Sequence, residues 1–175
     1  LGSLVSRDHE YGGNVSSYWL VTNLTVSSGI VAWVANTAGS VTFPDREIGF
    51  AVYDPSRQAW QERTHRYDGS SLSSWTLTPP SLTNGVVVWQ ADRRGSVSAW
   101  NTEIGFATYD PLQGAWNTVT HLYLGTESSY WVITNRQTAS GLVTWTRNNI
   151  GQFAVTNKEV NYAIFDPTTF SWMEG

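Results

Sequence analysis

The chain has 175 residues, enough for one domain with its own core, and its 41 % hydrophobic and 14 % aromatic content, with 10 Trp, excludes a disordered polymer. A net charge of −4, with Arg93-Arg94 as the one adjacent basic pair, leaves no basic stripe for a nucleic-acid backbone. The absence of Cys rules out disulfides and thiolate metal centres, and no apolar run approaches the ~20 residues that cross a bilayer as a helix.

In chain order, Leu1 to Tyr11 leads, and Val5 to Tyr11 within it reads as a strand. Tyr18 to Thr22 follows, rich in the aromatic and β-branched residues that favour strands. Gly29 to Val34 is apolar on both faces, which predicts a strand covered on two sides. Ser40 to Phe43 is expected to add a short strand or a loop hairpin. Ile48 to Tyr53 alternates a large face (Ile48, Phe50, Val52) with a smaller one (Gly49, Ala51, Tyr53), so a neighbouring sheet can approach closely on the small side. Asp54-Pro55 turns the chain: the Pro ring presets φ, and the Asp side chain can accept backbone N–H bonds. Trp60 to Tyr67 returns with Gln, Glu, Arg, Thr and His, the mixture of an outer edge strand.

The same order recurs 56 and 112 residues later. Trp19, Trp75 and Trp131 form one column of this repeat, Trp33, Trp89 and Trp145 a second, and Trp60, Trp116 and Trp172 a third. All three His, at 9, 65 and 121, share a column, as do Glu47, Glu103 and Glu159. No helical period is visible. The fold class expected is all-β: a single domain, 1–175, of three tandem four-stranded, blade-like repeats with pseudo-threefold symmetry. The units run over 12–67, 68–123 and 124–175, the last completed by 1–11, because Val5 to Tyr11 lies one period before Gln61 to Tyr67. Pairing of the N- and C-terminal strands is expected to close the structure.

Tyr53-Asp54-Pro55 followed by Trp60 resembles the Tyr-Asp-Pro…Trp segment of the Kelch repeat, and Asp110-Pro111…Trp116 and Asp166-Pro167…Trp172 restate it, with Phe165 in place of Tyr. The resemblance covers about 13 of the 56 residues in each unit and implies a β-propeller blade used for protein interaction. Gln58-Ala59-Trp60 resembles the Gln-x-Trp signature of β-trefoil lectins, and β-prism lectins share the threefold design. Propeller rings usually hold four to eight blades, so three blades leave three outcomes: a prism-like or trefoil-like monomer, two copies of the chain completing a six-bladed ring, or a three-bladed toroid.

Candidate ligand contacts lie in the repeated columns. Trp19, Trp75 and Trp131, beside Ser-rich loops, are candidate platforms for sugar rings or peptide groups. The pairs His9-x-Tyr11, His65-x-Tyr67 and His121-x-Tyr123 are candidate ligand-contacting or structural pairs. Three imidazoles on a common axis could hold Zn²⁺, but the His column falls on the strand read as outermost, so no metal and no cofactor is expected. The Glu column suits strand-start hydrogen bonding, because a glycosidase pair needs two carboxylates in unlike settings. No nucleophile elbow or phosphate-cradling loop is present, and no catalytic residue is assigned. The function expected is a non-catalytic module binding carbohydrate or a protein surface at up to three equivalent sites, extracellular or on the cell surface, with no membrane insertion. The alternative is a structural interaction domain of a larger extracellular protein with no small ligand, and a glycoside-active enzyme is the third reading.

Overall fold

The computed structural model describes residues 6–41, 44–95, 100–151 and 157–175. Every regular element among them is a β-strand, in three antiparallel sheets. Sheet 1 holds β1 (Ser17–Ser27), β2 (Ile30–Gly39), β3 (Arg46–Asp54) and β4 (Ala59–Tyr67) in that order. Sheet 2 holds β5 (Ser73–Leu77), β7 (Val86–Gly95), β8 (Asn101–Asp110) and β9 (Ala115–Tyr123), with β6 (Ser81–Thr83) also paired to β7. Sheet 3 holds β10 (Ser129–Ala139), β11 (Leu142–Gly151), β12 (Lys158–Asp166) and β13 (Ser171–Glu174). The expected fourth strand, Trp60 to Tyr67, lies at an edge of its sheet. Ser40 and Val41 join no strand, and Thr42 and Phe43 lie outside the described residues.

Local chemistry fixes the hairpins. Ser28-Gly29, Asn84-Gly85 and Ser140-Gly141 join the first two strands of each sheet, and both residues of each pair have φ between 48° and 80°. Two consecutive positive φ values are what a type I′ turn needs, and its twist matches the flanking strands. The first strand of sheets 1 and 3 carries a bulge after Thr22 and Thr134. At the matching place in sheet 2, Pro79 and Pro80 lack the N–H a ladder needs, and the strand splits into β5 and β6.

The sheets pack face to face with sheet 2 in the middle. Ile48, Phe50 and Val34 of sheet 1 lie against Val87, Trp89 and Ala107 of sheet 2. Val86, Ile104 and Phe106, on the other face of sheet 2, lie against Ile133, Val143, Trp145 and Ala163 of sheet 3. Trp33, Trp89 and Trp145 are all buried. The small face of the third strand serves the sheet itself. Trp33 pairs with Gly49 and Trp89 with Gly105, and each indole lies where a glycine Cβ would stand, within 2.3 Å of it.

The N-terminal segment departs from expectation. Val5 lies outside the described residues, and Ser6 to Tyr11 form no strand. They lean on sheet 1: Arg7 Nη1 donates to the Trp60 carbonyl at 3.4 Å, His9 pairs with Glu62, and Tyr11 bonds to Trp33 and Glu47. Strand β13 pairs with β12 only over Ala163 to Asp166, and Ser6 to Tyr11 lie against sheet 1 instead of the rest of the β12 edge, so the expected pairing of the chain ends is not made and no closed ring forms among the described residues. The reason lies in Tyr11, whose hydroxyl finds its donor and acceptor on sheet 1, at the opposite end of the stack from β12.

Candidate functional site

The sequence-predicted residues come together as three similar joints. In the first, Trp33 Nε1 donates to the Tyr11 hydroxyl at 2.7 Å, and that hydroxyl donates to Glu47 Oε1 at 2.7 Å. Trp19 stacks on Tyr11 with ring centres 5.1 Å apart, and His9 meets the same ring edge-on at 4.5 Å. In the second, between sheets 1 and 2, Trp89 Nε1 donates to Tyr67 at 2.7 Å and Tyr67 donates to Glu103 at 2.5 Å. Trp75 and His65 flank Tyr67 at 4.9 Å and 4.7 Å. Burial first, then the Glu103 charge, pushes the Tyr67 phenol far above its ordinary value, so it stays a proton donor.

The third joint is built differently. Trp145 Nε1 donates to Tyr123 at 3.0 Å, but Glu159 is taken by Arg147, whose Nε donates to it at 2.7 Å. Ala35 and Ala91 hold the position of Arg147 in the other sheets. Its guanidinium lies 4.6 Å from the Tyr123 ring centre and 4.7 Å from that of Trp131, a cation–π stack on two rings. His121 reaches Glu174 at 2.9 Å. The His residues thus sit in three separate joints, and no three metal-ligating side chains gather among the described residues. Trp19, Trp75 and Trp131 are half-buried.

A different place in the molecule has the character of a ligand site. It lies where the Asp-Pro turns meet the neighbouring sheet, and the first such junction is filled by protein groups. Asp54 Oδ1 accepts from the Ser56 and Arg57 backbone N–H groups at 2.8 Å and 3.2 Å. Its Oδ2 accepts from Arg57 Nη1 at 2.8 Å and from the Tyr109 hydroxyl at 2.5 Å. Arg57 bonds on to the carbonyls of Pro111 and Leu112, at 2.8 Å and 3.0 Å, so it clasps the next turn. The Ser56 hydroxyl first, then Tyr109, holds the Asp54 carboxyl well below its ordinary range. Tyr109 is pushed up to about 12, by burial and then by the Asp54 bond.

The second junction lacks three of these groups. Leu112 stands where the first has Ser56, whose hydroxyl also donates to Asp54 Oδ1, Gln113 where it has Arg57, and Phe165 where it has Tyr109. Asp110 still holds its turn, with Oδ1 accepting from Leu112 and Gln113 N–H at 2.8 Å and 3.1 Å. Its Oδ2 has no hydrogen-bond partner among the described residues, although Asp110 is only 3 % exposed. Beside it opens a cavity of about 320 Å³. Arg63 and Gln113 supply donors, Asn117 and Thr118 further polar groups, and Trp116 and Phe170 aromatic surface. The Thr118 hydroxyl is likewise buried without a partner. Sequence reasoning took Asp110 for a turn residue alone. The available signal was the simultaneous break in three columns, Ser56 to Leu112, Arg57 to Gln113 and Tyr109 to Phe165.

Comparison with family models, with curated proteins and with solved structures returns no match. The Kelch-like and lectin-like resemblances therefore rest on the quoted residues alone.

Proposed function

We propose that the protein is a non-catalytic carbohydrate-binding module whose ligand enters the cavity beside Asp110. The observation that carries this reading is a buried carboxylate oxygen, without a partner among the described residues, on a residue that lines a cavity large enough for a small ligand. An unpaired buried acceptor costs about 1–3 kcal/mol, and a ligand hydroxyl would recover that cost. Arg63 across the cavity opposes a cationic ligand and Asp110 opposes an anionic one. A neutral polyhydroxyl compound can donate to Asp110, accept from Arg63 and lay an apolar sugar face on Trp116 or Phe170.

The three sheets are, in this reading, blade-like units of one 56-residue repeat, and the ligand site arises where one junction lost its filling groups. The common element lengths, the three I′ turns and the recurring Tyr–Trp bond support the repeat. The aromatic columns at Trp19, Trp75 and Trp131 then serve as joints between sheets.

A glycan array with the unsubstituted protein and Asp110→Asn tests the proposal. Asparagine keeps an oxygen for the turn but replaces Oδ2 with a donor. Signal for the unsubstituted protein that disappears in the folded variant is the expected result. Absence of any signal, or equal signal for both proteins, refutes this reading.

A further inference from the structure

The two ends of the stack expose complementary faces. On the third strands, Ile48 and Ile104 are fully buried by the next sheet, whereas Val160 in the same column of sheet 3 is 75 % exposed. Phe50 and Phe106 are likewise buried, and Tyr162 is half-exposed. Sheet 1 shows the same deficit on its opposite face. Leu77 and Ile133 are 9 % and 5 % exposed, and Val21 in their column is 51 % exposed. Sheet 3 therefore carries the surface that sheets 1 and 2 press onto a neighbour, and sheet 1 carries the surface that sheets 2 and 3 offer to receive it.

We infer that two copies of the chain associate head to tail, the Val160–Tyr162–Ile164 face of one docking on the face of sheet 1 that carries Val21 and Val31 in the other. The occupant is given by continuity with the two internal interfaces. At these, Phe50 meets Trp116 edge-on at 4.7 Å and Phe106 meets Trp172 at 4.5 Å. Tyr162 and the partner's Trp60 stand in the same columns. The N-terminal segment does not obstruct this docking. Tyr11 holds Trp33 and Glu47 of sheet 1 just as Tyr67, at the end of β4, holds Trp89 and Glu103 of sheet 2. Residues 6–11 therefore lie where the fourth strand of a docked neighbour would run, and they would pair with the β12 edge of the copy that docks. Such a contact joins unlike faces. It closes into a ring if the rotation allows and otherwise extends into a series.

Sedimentation across a concentration series, with Val160→Arg and Val21→Arg variants, is the test. Both positions are exposed in the single chain, so both variants should keep its thermal melting. The unsubstituted chain is expected at twice the monomer mass or at a rising series of multiples. Each variant alone is expected at the monomer mass, and an equal mixture of the two at twice that mass, because one intact interface remains between them. A monomeric unsubstituted chain overturns the inference. So does a variant that still self-associates, which would mean that like faces meet, or a mixture that stays monomeric.

Discussion

At the level of single residues, three substitutions separate one inter-sheet junction from the other. The Ser56 and Tyr109 hydroxyls and the Arg57 guanidinium saturate Asp54, whereas Leu112, Phe165 and Gln113 in their places leave Asp110 Oδ2 without a partner among the described residues. Phe165→Tyr restores a donor at the position of Tyr109. It should raise stability by about 0.5–1.5 kcal/mol, read as a higher urea midpoint with an unchanged slope. An unchanged or lower midpoint would mean that the ring of residue 165 does not approach Asp110 as Tyr109 approaches Asp54. Gln113→Arg is a poorer probe. Arg57 packs against Gly114, whose added Cβ would lie 2.2 Å from Arg57 Nε, and the matching position in sheet 3 is Phe170.

Between elements, the last residue of each fourth strand decides how the next sheet is seated. Tyr67 ends β4 and is 4 % exposed, with Trp89 as donor and Glu103 as acceptor. Tyr67→Phe strands both, one of them a carboxylate, and should cost about 2 kcal/mol or more. Tyr123→Phe removes only the Trp145 bond, since Glu159 is held by Arg147, and should cost about 1 kcal/mol. Equal losses, measured by urea unfolding, would show that Arg147 does not relieve the third joint. Strand identity was legible in the sequence because alternation and Asp-Pro turns act locally. The meeting of the Trp, Tyr, His and Glu columns at one joint was not. It depends on how one sheet is rotated over the next, and the 56-residue spacing says nothing of that rotation. Trp33 was legible as core, but its seat over Gly49 needs the register of β2 and β3.

Across the whole molecule, the expected pairing of the chain ends is not made among the described residues. The segment ending at Tyr11 matches the end of a fourth strand, and such an end has two roles: pairing with its own sheet and gripping the next one. The grip on sheet 1 is satisfied within the chain, and the pairing with sheet 3 is not, since the two sheets stand at opposite ends of the stack. The candidate site was equally hidden, because a column-by-column reading rewards positions that match and the cavity lies beside positions that differ. Its role as a carbohydrate site is the central claim. The most direct measurement is the map of amide chemical-shift changes in ¹⁵N-labelled protein titrated with the glycan giving the strongest array signal. The changes are predicted to centre on residues 110–118, Arg63 and Phe170, the groups around the Asp110 cavity. Changes confined to the surroundings of Trp19, Trp75 and Trp131 would contradict the account and return binding to the aromatic joints.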